Sequence, residues 1–159
     1  MARTARILMN NASYHLITRG SRRENVFLDE DDFNRYLHTL WKYKKKFSSK
    51  IYAYCLMSNH VHLLVDPLDH ANLNKFMHAL NLSYAMYFNY KYKKCGHLWQ
   101  NRYKSFVVQN DEYLINVISY IEYNPIRANI CQRAEDYLWS SYRYRVLGEN
   151  NKILDLYQP

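Results

Sequence analysis

The chain predicts an α/β fold in which a small antiparallel sheet carries amphipathic helices on one face. Three observations support that expectation. Short apolar, partly β-branched runs at 51–56 and 60–65 flank Met57-Ser58-Asn59, the pattern of a strand–turn–strand hairpin. Longer stretches place apolar residues at helical spacing. Only three Gly and three Pro occur in 159 residues, with no linker-like segment and no internal repeat, so a single domain over residues 1–159 is expected.

Taken in order, Tyr14-His15-Leu16-Ile17-Thr18 reads as a first strand stopped at Arg19-Gly20. Ser21-Arg22-Arg23 follows as a basic loop, able to touch phosphates or merely to solvate a turn. Asp29 to Asp32 precede an apolar stripe of Phe33, Tyr36, Leu37, Leu40 and Trp41, and acids in a first turn favour a helix start there. Lys42 to Lys46 close that helix where its dipole favours cations. Pro67 ends the second hairpin strand. Leu73, Phe76, Met77, Leu80, Tyr84, Tyr87 and Phe88 then give a long helix across roughly 70–91. Phe106-Val107-Val108 looks like a further strand. Asp111-Glu112 opens a last long helix with Leu114, Ile115, Val117, Ile118 and Ile121 on its apolar side. Pro125 disfavours helical geometry at Asn124, so that helix should end there. The tail from about 137 is aromatic and basic.

The net charge of +8, from 22 Lys+Arg against 14 Asp+Glu, favours a polyanionic partner, nucleic acid before an anionic membrane. Seventeen tyrosines, many beside Lys or Arg, suit single-stranded nucleic acid, where bases stack and phosphates pair. The competing reading has the tyrosines filling core edges. Cys55, Cys95 and Cys131 are far apart, so neither a disulfide framework nor a Cys-x-x-Cys zinc site is expected. Met1-Ala2-Arg3-Thr4-Ala5-Arg6 is basic but precedes only a short apolar run, unlike a signal peptide. No window holds the ~20 apolar residues of a membrane helix, so the expected location is cytoplasmic.

Two local patterns carry chemistry. In a strand, His60 and His62 share a face while Val61 points away, and their Cα atoms lie roughly 6.5–7 Å apart, close enough to converge on one ion. In the last long helix, Tyr113, Asn116, Tyr120 and Asn124 form a polar stripe, with Tyr120 and Asn124 one turn apart on the same face.

Set together, His60-Val61-His62 and Tyr120-Ile121-Glu122-Tyr123-Asn124-Pro125 resemble the two signatures of the HUH single-tyrosine transposases, and most closely the REP-associated branch. The likeness extends to Tyr14-His15 through Arg19-Gly20, Met57-Ser58-Asn59, Leu98-Trp99-Gln100 with Arg102 to Ser105, Arg127-Ala128, and Trp139 to Arg143. It implies a ferredoxin-like or RRM-like α/β fold of the HUH endonuclease type, with the tyrosine helix reaching across to the histidines. It also implies metal-dependent cleavage and strand transfer of single-stranded DNA at hairpin-forming repeats, through a 5′-phosphotyrosine. Tyr120 would be the nucleophile, and His60, His62 and Asn124 would hold a divalent metal, Mg²⁺ or Mn²⁺, with zinc as an alternative. Asn124 stands where insertion-sequence relatives often carry glutamine; one methylene shorter, it would bind the ion directly or through water. Tyr113 and Tyr123 are nearby decoys or helpers. Arg19, Arg22, Arg23, Gln100 and Arg102 are candidate DNA contacts, whereas Trp99 and Trp139 read as core. The resemblance leaves both a monomer and a homodimer open. Two rivals stand beside this reading: a basic nucleic-acid-binding module that does not cut, and a replication-initiator-like HUH nuclease. Joint retention of His60, His62, Tyr120 and Asn124 argues against the first, and the short chain against the second.

Overall fold

The computed structural model describes residues 5, 6 and 8–159; Met1–Thr4, most of the basic start, lies outside them. Four antiparallel strands form one sheet in the order β2-β3-β1-β4. These are β1 (Ser13–Arg19), β2 (Lys50–Leu56), β3 (His60–Asp66) and β4 (Lys104–Val108). β2 and β3 are the expected hairpin, closed at its turn by Met57 N–H donating to His60 C=O (2.8 Å). Among the described residues, no helix is long and apolar enough to cross a membrane.

Alternation divides the sheet residues between two cores. Tyr14, Leu16, Val61, Leu63 and Val65 point toward α1 (Glu30–Lys46) and α2 (Leu73–Tyr92), which cover one face. Ala53, Cys55 and Leu64 point the other way, onto α3 (Asp111–Glu122). A register shift between Ile51 and Ala53 marks a bulge at Tyr52, where strand parity slips. Ile51 therefore serves the first core with Tyr54 and Leu56, while Tyr52 and Ala53 both serve the second.

The acidic run does more than favour a helix start. Asp29 caps α1 by accepting from Asp32 N–H (3.0 Å), and Asp32 is fully buried. Its carboxylate accepts from Tyr92 Oη (2.7 Å), Tyr87 Oη (2.9 Å) and Lys91 Nζ (2.9 Å), which ties α1 to the end of α2. Trp99 and Trp139 are structural, as expected. Trp99 Nε1 donates to Asn81 C=O (3.0 Å), and Trp139 stacks on Phe33 at 4.5 Å.

The tail is folded back rather than free. Leu56 N–H donates to Trp139 C=O (2.8 Å), Ser141 N–H to Tyr54 C=O (3.0 Å) and Asp155 N–H to Ile51 C=O (2.8 Å). The segment thereby covers the outer edge of β2, which would otherwise offer unpaired backbone groups. Its short helix α5 (Tyr142–Leu147) is fastened to α3 through Glu122, which is fully buried. That carboxylate accepts from Ser141 Oγ (2.8 Å) and from Arg145 Nε and Nη2 (2.9 and 2.5 Å). Breaking a buried pair by removing one partner costs about 3–5 kcal/mol, and the partial exposure of Arg145 lowers that here. Glu122→Ala should destabilise by about 2–3 kcal/mol in urea melts; a change below about 0.5 kcal/mol, the scale of an ordinary surface substitution, would contradict this role.

Candidate active site

Strand parity places His15 on β1 and His60 and His62 on β3 on the face that α3 covers. Arg19 pairs with His60 and Ile17 with His62 across the β1–β3 ladder, so Arg19 lies at the rim beside His60. The rings of His60 and His62 are 5.0 Å apart, centre to centre. His62 is the deeper, only 4% exposed.

Three partners orient these imidazoles. His60 Nδ1 lies 2.6 Å from Asn59 Oδ1, and Asn59 Nδ2 donates to Arg23 C=O (3.3 Å). That second bond fixes the amide so that its oxygen faces His60, whose Nδ1 then donates. His62 Nδ1 lies 2.9 Å from His15 Nε2, with the two rings stacked at 5.2 Å. On its other side, His62 Nε2 lies 2.8 Å from Asn124 Nδ2.

Tyr120 stands over this group from α3. Its ring meets His15 edge-on at 5.8 Å and His62 at 6.0 Å, while 48% of the residue stays open to solvent. The Arg127 guanidinium lies 4.1 Å over the tyrosine ring and donates to Tyr120 C=O. Tyr120, His62 and Asn124 thus meet within one chain.

Two details differ from the sequence expectation. Tyr120 and Asn124 do not share a helix: α3 ends at Glu122, and Asn124 opens a separate short turn, α4 (Asn124–Arg127). Tyr123 separates the two, and Pro125, which has no N–H to donate, is accommodated in the first turn of α4, so Asn124 is helical although it precedes a proline, contrary to the expectation. The kink still delivers the Asn124 amide to His62. The helix across 70–91 begins at Leu73, after a 3₁₀ turn at His70–Asn72.

The two other tyrosines singled out from the sequence make different contacts. Tyr123 meets Tyr142 of the tail at 5.8 Å, and Tyr113 lines a groove of about 1650 Å³ between α2 and the segment leading into β4. Gln100 and Arg102 line the same groove with Trp99, Tyr103 and Lys104. Gln100 N–H donates to Arg19 C=O (2.8 Å), and Gly20 bridges to Trp99, so this segment abuts the end of β1. Arg22 and Arg23 form the adjoining 3₁₀ turn, held in left-handed backbone at φ 54° and 60°. Of the five candidate DNA contacts, Arg19 lies beside His60, Arg22, Arg23 and Gln100 adjoin the end of β1, and Arg102 lies in the groove against α2. His15 and the role of Arg127 escaped the sequence reading. The parity of β1 puts His15 on a face with Ile17 and Arg19, but the β1–β3 register that brings it to His62 is not written in either strand.

Burial dominates the electrostatics of the three imidazoles. His62 is pushed down to about 2 by burial and then by His15, His60, Arg127 and Arg19. His60 falls to about 4 through burial and Arg19, and His15 to about 4 through burial alone. All three are neutral at pH 7, the form that binds metal. In the metal-free protein, the unfolded chain takes up these protons near pH 6.5 and the folded chain only near 4 or below. Stability from this source is therefore full above about pH 6.5 and lost as pH falls toward 4. Each buried imidazole costs about 2 kcal/mol by pH 5, so with the half-buried His60 discounted the loss should be of the order of 5 kcal/mol. Urea melts at pH 7.5 and 5.0 check it, with His62→Gln expected to shrink the difference; equal stability at both pH values would contradict the burial argument.

Among the described residues, no three His, Cys, Asp or Glu side chains are arranged to hold a metal ion. An ion here would need two imidazoles and the Asn124 amide. The donor chemistry fits that set. Asn59 and His15 occupy the Nδ1 positions of His60 and His62, so an ion would take the two Nε2 atoms. The Asn124 amide, whose nitrogen faces His62 Nε2 at 2.8 Å, would have to turn to offer its oxygen. Two nitrogens plus an amide oxygen suit Mn²⁺ or Mg²⁺ completed by water.

Comparison with known proteins gives a consistent picture. A family model described as transposase IS200 like matches residues 8–124. A chain assigned as a REP-associated tyrosine transposase in Haemophilus influenzae is 27% identical over 112 residues, 61% of this chain. The match spans 61% of that relative's own length. Among solved structures, a REP-associated tyrosine transposase bound to a REP hairpin aligns with a TM-score of 0.77 and 16% identity, covering 99% of this chain and 94% of that one. A chain described as a transposase from Deinococcus radiodurans R1 aligns at 0.51 and 23% identity, covering 76% and 96%. Yeast tRNA(His) guanylyltransferase also aligns at 0.51, with 10% identity over 76% of this chain and 61% of its own. At these identities the structural likeness shows the fold, and a fold shared with a guanylyltransferase does not choose a chemistry.

Proposed function

The chain belongs to the IS200-like transposase family, and we propose that it cleaves and rejoins single-stranded DNA through Tyr120 at hairpin-forming repeats. The observation that carries this reading is the meeting of Tyr120, His62 and Asn124, with the tyrosine ring 6.0 Å from that of His62 and the amide 2.8 Å from its Nε2. A structural tyrosine packed on a helix has no need of that company.

In this reading Tyr120 Oη attacks a backbone phosphorus in line. The bond to the 3′ oxygen breaks, the strand end takes up a proton as a 3′-OH, and the phenol proton passes to solvent. The 5′ phosphate is left on the tyrosine. Covalent capture keeps the phosphodiester energy for rejoining, so the reverse attack needs no nucleotide cofactor. His60, His62 and Asn124 would hold a divalent cation. When bound, the ion supplies charge neutralisation and polarises a non-bridging oxygen. Arg127 steadies the ring from above and brings positive charge to the side where the phosphate arrives.

The substrate follows from charge and shape. The basic rim of Arg19, Arg22 and Arg23 and the aromatic groove beside Arg102 and Lys104 suit a single strand leading to the site. The similar structure is bound to a REP hairpin, and hairpin DNA is accordingly the substrate class. The complete set of groups in one chain supports a monomer acting with its own tyrosine.

The test uses labelled single-stranded hairpins from repeats flanking the gene, incubated with Mn²⁺ or Mg²⁺ and run on a denaturing gel that retains protein–DNA adducts. A metal-dependent adduct is expected. Tight binding with no adduct on either hairpin flank would instead favour a module that binds without cutting.

A further inference from the structure

We infer that His15 is a positioning residue, whose Nε2 accepts the Nδ1–H of His62 and so leaves the His62 Nε2 lone pair directed toward Asn124 and the phosphate site. The inference rests on the metal-site reading above. It concerns a residue on a strand that the tyrosine and histidine signatures do not include.

A neutral imidazole carries one ring hydrogen, on Nδ1 or on Nε2. His62 Nε2 faces Asn124 Nδ2 at 2.8 Å, and an amide nitrogen only donates. Nε2 is therefore the acceptor, and the ring hydrogen of His62 sits on Nδ1. The atom facing Nδ1, at 2.9 Å, is His15 Nε2, which must accept. His15 is itself only 7% exposed, with the Phe106 ring at 6.0 Å and the Tyr120 ring at 5.8 Å beside it. Water is thus a poor replacement for it. His60 has a matching device in Asn59, whose oxygen is aimed by Arg23 C=O. The two strand histidines are therefore held by different acceptors in the same tautomer, with the lone pair on Nε2.

Without an acceptor at His15, the buried Nδ1–H of His62 would have no partner. The hydrogen then shifts to Nε2, where it covers the lone pair that an ion needs. Partners of this kind change metal affinity by about 10–100-fold when lost.

Two variants separate this role from simple packing. His15→Leu removes the acceptor at similar volume, and His15→Gln keeps an oxygen within reach of Nδ1. Long-range ¹H–¹⁵N spectra of the metal-free protein near pH 7.5 read the His62 tautomer, and calorimetric titration with Mn²⁺ reads affinity. Wild type and His15→Gln should show the hydrogen on Nδ1 and Mn²⁺ affinities within about 3-fold of each other, while His15→Leu should move it toward Nε2 and weaken Mn²⁺ about 10–100-fold. A His62 hydrogen that stays on Nδ1 in His15→Leu, or a Gln variant as weak as the Leu variant, would overturn the inference. His62→Ala, run alongside, should abolish Mn²⁺ binding. Binding that survives it would sink the metal-site reading, and the tautomer spectra would then decide the role of His15 alone.

Discussion

Tyr120→Phe should leave hairpin binding within about 2-fold of wild type and remove the covalent adduct entirely, a loss of at least about 10³-fold in strand cleavage. The substitution deletes one oxygen from a residue that is 48% exposed and whose ring makes the contacts with His15, His62 and Arg127. Fold and site geometry should therefore persist, and the loss would belong to the nucleophile. Gel-shift binding and adduct formation, measured on the same preparation, separate the two. Tyr113→Phe and Tyr123→Phe serve as controls, because Tyr113 lines the outer groove and Tyr123 meets Tyr142 in the tail. An adduct that survives in Tyr120→Phe would place the nucleophile at another tyrosine. An adduct lost in Tyr123→Phe would mean that the tail contact shapes the site.

Much of this site was legible because its signals are local. His60 and His62 are two apart on a strand, so parity alone puts them on one face, and the hairpin turn at Met57–Asn59 follows from the apolar runs around it. The helices were legible from spacing and from the acidic run before Phe33. What was hidden depends on register and long-range contact. The burial of Asp32 needs the end of α2 against α1, and the Glu122–Arg145 pair needs the tail folded onto α3. His15 becomes part of the site only when β1 pairs beside β3. The placement of Asn124 was reached through a simplification. A continuous helix puts it one turn beyond Tyr120, whereas the protein breaks the helix at Tyr123, restarts it at Asn124 and arrives at the same neighbour by a kink. Local pattern singled out His60, His62, Tyr120 and Asn124, and tertiary packing brought them together and supplied the groups around them.

The second large effect is expected at His62. His62→Ala should lower metal-dependent adduct formation by about 10²–10³-fold, while hairpin binding without metal changes less than about 3-fold. His60→Ala should be milder, because His60 lies at the rim and its Nδ1 is oriented by Asn59, whereas His62 touches His15, Asn124 and Tyr120 at once. Single-turnover adduct formation across a Mn²⁺ series distinguishes the two. A rim ligand lost should raise the Mn²⁺ needed and leave much of the maximal rate, whereas the central ligand lost should depress the rate at every concentration. The missing ring also deprives His15 and Asn124 of a partner, so His62→Gln, which retains a polar group there, is the check that the fold is intact. It should melt near wild type and still fail to restore the rate, because a glutamine amide cannot present a nitrogen lone pair to the ion. A His62→Ala protein that forms the adduct at the wild-type rate would remove the histidine pair from the chemistry and leave Tyr120 to act with the basic rim alone.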